Sequence, residues 1–214
     1  QATKTIPDLV ISDVMMPDMD GLELCRKLKT DERTSHIPVI LLTARQSDES
    51  KLEGFETGAD AYVTKPFNSN VLHAQVRNLL DQRQRLRELF SKGSAMDIKT
   101  IAINITDEAF LTKVIKHIHE NLEGEEFNIN ALAEILNMSR SQFYRKIKAL
   151  TNQSLLDFVT TIRMNKALEY LLSGNYNISE TAHKVGYSMS SNFTRTFTRH
   201  FGLSPSKYME SIRK

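Results

Sequence analysis

Three polar side chains stand at the ends of three short apolar runs, and their chemical types could act together. Asp13 follows DLVIS, Thr43 ends IPVILLT, and Lys65 follows AYVT. If the runs are parallel strands, a carboxylate, a hydroxyl and an amine meet at one edge of the sheet, where α/β proteins place their sites. The stretch ISDVMMPDMDG around Asp13 then has three interpretations: a metal loop, a reactive aspartate, or a polar turn.

The spacing of this stretch tests the metal-loop interpretation. An EF-hand loop with Gly21 at its sixth position requires an acid at position 16 and a bidentate glutamate at position 27. The sequence has Met16 and Lys27 there, so this class of site is excluded. We therefore interpret Asp18 and Asp20 as turn and capping residues, because a carboxylate before a helix accepts the free N–H groups of its first turn.

The apolar runs are rich in β-branched residues and bounded by Pro, Asp and Ser, which is typical of buried parallel strands. Helical patterns follow the first two of them, GLELCRKLKT at 21–30 and SDESKLEGFETG at 47–58. Strands that alternate with helices predict βα units and a parallel sheet. Each of the three polar residues is then carried by a different strand.

The segments PDLVISDVMMPDMDGLELCRKLK, IPVILLTAR and GADAYVTKPF resemble the response-regulator receiver domain, from about residue 6 to residue 81. The resemblance implies that Asp13 accepts a phosphoryl group from a histidine kinase domain and that Lys65 pairs with the phosphate. It also implies that Thr43 and Tyr62 are the switch residues. The residue types agree, because an aspartyl phosphate needs a nearby cation and hydrogen-bond donors.

The resemblance further implies Mg²⁺ as cofactor of an intact receiver, held by Asp13 and the Met15 carbonyl, a cis Lys65–Pro66 bond, and a homodimer through the receiver. The chain departs from the family at its start, because QATKTIPDLV matches the run-in to the third strand and no acidic pair stands at another strand end. We therefore expect a truncated receiver at 1–81, without bound magnesium and without phosphorylation of Asp13 in this chain. The alternative is that Asp13 is only a polar strand end.

Composition limits the remaining function classes. The 214 residues allow one large or two ordinary domains. The lone Cys25 excludes an internal disulfide and favours the cytoplasm, and no apolar run approaches the ~20 residues of a membrane span. Residues 1–81 carry 9 basic and 13 acidic side chains, whereas residues 139–214 carry 12 and 4. A basic last third predicts a polyanionic partner.

An internal repeat organises this last third. INALAEILNMSRSQFYRKI and ISETAHKVGYSMSSNFTRTF both place apolar residues at i, i+3, i+4 and i+7, followed by a Ser and a basic segment. The copies lie 49 residues apart before the turn and 50 after it. We predict helix-turn-helix units at 128–151 and 178–201. A helix capped by Thr106 is predicted before them, and a basic linker at 82–105.

The second helix of each copy is predicted to have a buried apolar face and an exposed cationic face. Exposed cations on such a helix suit the major groove of DNA, and the alternative is an ordinary solvated face. The residues predicted to face inward are Phe143, Ile147, Leu150, Phe193, Phe197 and Phe201. Those predicted to face outward are Ser141, Arg145, Lys148, Ser191, Arg195 and Arg199.

A predicted helix at 155–172 connects the two copies. At 1.5 Å per residue it is ~27 Å long, which is enough to hold two recognition helices roughly one DNA turn, ~34 Å, apart. One chain could then read successive major grooves without a dimer.

The stretch GYSMSSNFTRTFTRHFGLSPSKYMESIRK resembles the AraC/XylS family of transcription regulators, and the resemblance covers 106–214. It implies base-facing positions at Ser141, Tyr144, Arg145, Ser191, Asn192 and Arg195. Lys148 and Arg199 are added as further DNA-binding residues, and the two central arginines suggest guanine contacts. The order of domains resembles the C-terminal part of hybrid two-component systems of Bacteroidetes.

The sequence therefore predicts an α/β fold followed by an all-α fold: a partial flavodoxin-like receiver with parallel strands, then about seven helices with two helix-turn-helix units. We expect a DNA-binding transcriptional regulator that is not an enzyme, with double-stranded DNA as its partner. Two alternatives stay open. An aspartate-nucleophile phosphotransfer enzyme would want a second acid where Met15 stands, and a protein-interaction module would use the same helices on a partner protein.

Overall fold

The computed structural model describes residues 6–44, 57–91, 104–123 and 129–212. The chain divides into two compact units. The first comprises the described parts of 1–87 and 102–110, and the second those of 88–101 and 111–214. Among the described residues, no helix combines the length and the apolar character that crossing a bilayer requires.

The first unit is built on a three-stranded parallel sheet in the order β1-β2-β3, as the alternating pattern predicts. The strands are β1 (Val10–Asp13), β2 (Val39–Thr43) and β3 (Ala61–Thr64). Helix α1 (Gly21–Thr30) and, up to residue 87, helix α2 (Ser69–Ser91) belong to the same unit. The predicted helix at 47–58 lies almost wholly outside the described residues.

The core of this unit lies between α1 and the sheet. Cys25 and Leu28 from α1 pack with Val39 and Leu41 from β2, and all four side chains are buried. The apolar spacing of GLELCRKLKT therefore turns one face of the helix onto a sheet whose middle strand is buried, which is the physical reason for the βα unit.

A buried ionic network closes the sheet at the opposite end from Asp13. Asp60 Oδ2 accepts from Val39 N at 2.8 Å and from Lys29 Nζ at 2.6 Å. Arg83 Nη2 lies 3.5 Å from Asp60 Oδ1, and Arg83 also donates to the His36 carbonyl. Removing one partner of a buried ion pair leaves the other charge uncompensated, so the contacts of Asp60 hold α1, β2 and α2 together.

The helix α3 (Ile105–Glu120) begins differently from the prediction. Asn104 is its cap, because Asn104 Oδ1 accepts from Asp107 N at 2.8 Å and its carbonyl accepts from Glu108 N at 3.0 Å. Thr106, predicted as the cap, instead donates to the Lys29 carbonyl at 3.1 Å. The expectation was wrong because asparagine two residues earlier satisfies the free N–H groups and leaves the threonine to bond elsewhere.

The second unit is helical and begins within α3. The seven helices described between 105 and 212 agree with the predicted number. After α3 they are α4 (Ile129–Ile135), α5 (Arg140–Thr151), α6 (Leu155–Ser173), α7 (Ile178–Lys184), α8 (Ser190–Phe201) and α9 (Pro205–Ile212). The pairs α4–α5 and α7–α8 are the two predicted helix-turn-helix units, and α6 is the predicted connector.

The two turns have the same backbone hydrogen bonds. Met138 N donates to the Ala133 carbonyl and Tyr187 N to the Ala182 carbonyl, 49 residues later. The residue before each donor has a positive φ, 50° at Asn137 and 81° at Gly186. Asparagine and glycine are the residues that adopt this conformation most readily, so one turn geometry is encoded twice.

The predicted inward faces are confirmed. Phe143, Ile147, Phe193 and Phe197 have no exposed surface, and Leu150 is 2% exposed. Phe201 is only partly buried and packs on the edge of the second cluster. The second helix of each unit is therefore anchored by buried side chains, among them Phe143 and Phe193, and this fixes the direction of its opposite face.

Candidate phosphoacceptor edge and nucleic-acid interface

Asp13 and Lys65 form an ion pair at the carboxyl edge of the sheet. Lys65 Nζ donates to Asp13 Oδ2, and the Met15 backbone N–H donates to Asp13 Oδ1 at 3.2 Å. Both side chains are about one-third exposed. The hydrogen bond from Lys65, followed by that from Met15, lowers the pKa of Asp13 below its ordinary value. The carboxylate is thus anionic and solvent-accessible at neutral pH, as a nucleophile must be.

The loop that follows Asp13 contains a turn residue and the N-cap of α1. Asp18 has φ 67°, a turn conformation, and Asp20 caps α1 by accepting from Glu23 N at 2.7 Å. Gly21 is required by close approach, because a Cβ atom there would lie 2.2 Å from the Asp13 carbonyl oxygen. Both acids are turn and capping residues as predicted, and the loop packs directly on the backbone of Asp13.

Thr43 and Tyr62 lie on the strands that neighbour this edge. Asp13 is level with Leu42 in the parallel register, so Thr43 stands one residue beyond it, and the Lys65 N–H donates to the Thr43 carbonyl at 2.7 Å. Tyr62 packs against the apolar cluster beneath α1, and its hydroxyl lies 2.9 Å from Thr57 Oγ1. Burial raises the pKa of Tyr62. The Lys65–Pro66 bond is cis.

The fit of this edge to a magnesium ion is poor in the described residues. Asp13 has one oxygen engaged by an ammonium and the other by a backbone N–H. No group of three His, Cys, Asp or Glu side chains within the described part of the chain could hold a metal ion. Magnesium usually keeps several of its waters and is held by one or two carboxylates, so the poor fit here rests on Asp13, whose two oxygens are already engaged.

The outward face of α5 presents polar and cationic side chains to solvent. Ser141, Tyr144, Arg145 and Lys148 are all exposed. Ser139 caps the helix, and Gln142 completes a capping box by accepting from Ser139 N at 3.0 Å. Lys148 Nζ donates to the Asn152 carbonyl at 2.6 Å, so this cation also stabilises the helix C-terminus.

The outward face of α8 differs from that of α5 at two points. Its N-cap Met189 makes no side-chain capping bond. Arg195 Nη2 donates to Asn192 Oδ1 at 3.0 Å, which links two of the predicted DNA-binding residues. Ser191, Asn192, Arg195 and Arg199 are all exposed.

Several contacts at these sites were not predicted from the sequence. The pairing of Tyr62 with Thr57 depends on the fold, so no local signal announces it. The capping boxes at Ser139–Gln142 and Asn177–Glu180 have a recognisable spacing, S/T/N-x-x-E/Q, and a search for that pattern would have found both. The Asn192–Arg195 pair has helical i,i+3 spacing, which permits the contact without requiring it.

Two protein families match the chain. Residues 1–77 match the response regulator receiver domain, and residues 132–211 match a helix-turn-helix domain. Histidine kinase P4 of Formosa agariphila is 40% identical over 207 residues, which are 97% of this chain and 15% of that protein. Transcriptional regulatory protein AfsQ1 of Streptomyces coelicolor is 35% identical over 153 residues, 72% of this chain and 59% of that protein. The chain thus spans less than two thirds of either relative.

Solved structures resemble the two parts separately. The C-terminal domain of AraT, a response regulator from Geobacillus stearothermophilus, is 31% identical over 48% of this chain and 84% of that chain, with a TM-score of 0.43. A signal receiver domain of a histidine kinase from Syntrophus aciditrophicus is 48% identical over 36% of this chain and 58% of that chain, with a TM-score of 0.34.

Proposed function

We propose that the chain is a sequence-specific DNA-binding transcriptional regulator, because it combines a response-regulator receiver segment with an AraC-type helix-turn-helix domain. The receiver segment at 1–81 connects it to a two-component phosphorelay. A basic linker at 82–105 leads to the DNA-binding domain at 106–214. A DNA partner would place the chain in the cytoplasm.

The observation that carries this proposal is the duplicated unit. Two turns with the same hydrogen bonds, 49 residues apart, each lead into a helix that buries a phenylalanine, Phe143 or Phe193, and exposes cationic side chains on its other face. If these faces were ordinary solvated helix surfaces, nothing would require the same turn and the same exposed charges to occur twice. Two helices that each enter a major groove would need both the anchoring and the charge.

A band-shift titration at two salt concentrations tests this proposal. DNA is selected from a random pool and then bound at low and moderate salt. We expect steep salt dependence because phosphate contacts release counterions. Lys116→Ala, which removes one exposed cation from α3, serves as the charge control. If Arg145→Ala and Arg195→Ala both bind the selected site as tightly as the parent, the groove-reading model fails and a partner-protein module replaces it.

For the receiver segment, we infer that Asp13 is the phosphoacceptor and that a histidine kinase domain is the donor. The exposed, anionic carboxylate beside Lys65 supports this role. The relative from Formosa agariphila is named a histidine kinase, which favours a donor within the same natural polypeptide. A homodimer through the receiver is a further proposal from the same family.

Phosphorylation assays on the 214-residue chain test this inference. We expect little labelling by a small-molecule phosphodonor with magnesium, because the sequence has no acidic pair at another strand end to hold the ion beside Asp13. A chain that carries a whole receiver domain should be labelled at Asp13, and Asp13→Asn in that chain should abolish the label. Stoichiometric, magnesium-dependent labelling of the 214 residues would contradict the expectation.

A further inference from the structure

We propose that Asn192 and Arg195 act as one unit of hydrogen-bond donors that selects guanine in the major groove and discriminates against adenine. The inference rests on the proposed function, because it assigns a base to the exposed face of α8. It concerns a set of hydrogen-bond donors that the two side chains form together and that neither forms alone.

The geometry of the pair fixes how the amide is oriented. Arg195 Nη2 donates to Asn192 Oδ1 at 3.0 Å. A guanidinium group has only donors, so only the oxygen of the amide can face it. Phe193, between them in the sequence, has no exposed surface and anchors this turn of the helix. Both members of the pair are exposed, so their remaining donors are directed to solvent.

The paired amide is poorly suited to adenine. An asparagine that reads adenine accepts from the N6 amino group through its oxygen and donates to N7 through its nitrogen. Here one lone pair of Oδ1 is engaged and a full positive charge lies 3.0 Å away. An amino group of a base would approach that charge with its positive end. Guanine presents two acceptors, O6 and N7, and no donor at this edge, so it meets only attractive partners.

The first copy supplies an internal comparison. Gln142 and Arg145 stand 50 residues before Asn192 and Arg195. The Gln142 amide oxygen is used in the capping box, where it accepts from Ser139 N. Among the described residues, Arg145 has no side-chain partner. The second helix therefore holds its arginine in a defined position before DNA arrives, and less side-chain freedom is lost on binding. We expect the sharper base preference in the half-site read by α8.

Selection from a random DNA pool, followed by titration of single sites, tests the pair. The parent should select a guanine whose contribution disappears in Arg195→Ala. Asn192→Ala should keep DNA binding but lower the preference for guanine over adenine at that position by about threefold to tenfold, within the range of one base contact. Gln142→Ala is the matched control, because it removes the equivalent amide and should leave this position unchanged. Thermal unfolding of each variant shows that it is folded.

Replacing the selected guanine with 7-deazaguanine provides a second measurement. This base lacks the N7 acceptor, so the parent should bind about tenfold more weakly, as expected for one lost bond to a charged donor. Arg195→Ala should bind both sites equally. Selection of adenine at the position that depends on Asn192, or unchanged parent affinity for the deaza site, would overturn the donor unit while leaving DNA binding intact. Absence of any selected sequence would instead overturn the proposed function.

Discussion

Asp13 is held in its charged form by Lys65, and its titration reports that pairing. The pKa of Asp13 is lowered, so its stabilising contribution is present above the unfolded-state pKa and is lost as the pH falls through the lower folded-state value. We expect Lys65→Met to raise the pKa of Asp13 toward its ordinary value. Carboxyl-carbon NMR titration of both proteins measures this shift. An unchanged Asp13 titration in Lys65→Met would show that the ammonium is not the principal cause.

Phe193 and Arg195 are two residues apart, and we expect substitution of the first to lower stability and substitution of the second to weaken DNA binding. Phe193 is fully buried, so Phe193→Ala should cost about 3–5 kcal/mol of unfolding free energy. Arg195 is exposed, so Arg195→Ala should leave unfolding almost unchanged and cost about 1–3 kcal/mol of DNA binding at one base pair. Denaturant unfolding and site titration separate the two quantities. A large loss of stability in Arg195→Ala would assign that residue a structural role.

The sequence was informative about single residues where burial follows periodicity. Phe143 and Phe193 were placed inward by 3.6-residue spacing, and Asp20 was identified as a cap by its position before a helix. Thr106 was misassigned because two polar residues compete for one helix start, and only tertiary contacts decide between them. Contacts between exposed side chains, such as Asn192 with Arg195, depend on rotamers that no pattern specifies.

At the scale of elements, Gly21 joins the start of α1 to the end of β1. Replacing glycine by alanine within a helix ordinarily stabilises a protein by about 0.5–1 kcal/mol. Here the new Cβ would lie 2.2 Å from the Asp13 carbonyl oxygen, so the backbone must move. We expect Gly21→Ala to destabilise the first unit by about 1–3 kcal/mol, as overpacking does.

Thermal or denaturant unfolding measures the effect of Gly21→Ala. Glu23→Ala on the same helix is the control, because it removes an exposed pair with Lys27 and should cost no more than about 0.5 kcal/mol. A stabilised Gly21→Ala protein would show that the two backbones separate without cost. The sequence identifies the loop after Asp13 as a motif, but it does not show that Gly21 packs against the backbone of Asp13.

The parallel sheet and the duplicated helical unit were predictable because hydrophobic period and turn residues agree along each segment. The network of Lys29, Asp60 and Arg83 was not, because its members are far apart in the sequence and belong to different elements. Which charged side chains become buried depends on the space and the partners that the assembled fold provides. Sequence periodicity places apolar residues, and it does not say which charges will be buried together.

For the whole DNA-binding unit, the helix α6 sets how far apart its two reading helices can be. α6 has 19 residues, ~28 Å at 1.5 Å per residue, and it contacts α5 of the first copy and both α7 and α8 of the second. A continuous helix packed on both copies cannot lengthen. We therefore expect binding to a selected site to be weakened by inserting 5 base pairs between its halves, which rotates one half to the opposite face of the DNA.

Inserting 10 base pairs distinguishes a rigid connection between the two copies from a flexible one. The longer insertion restores the face of the DNA but adds ~34 Å, one helical turn, to the separation of the halves. A flexible connection would regain much of its affinity, whereas a connection fixed by α6 should bind the 10-base-pair site no better than the 5-base-pair site. Band-shift titration of the three sites at one salt concentration measures the difference. Full recovery with 10 inserted base pairs would mean that the two copies do not read DNA as one rigid body.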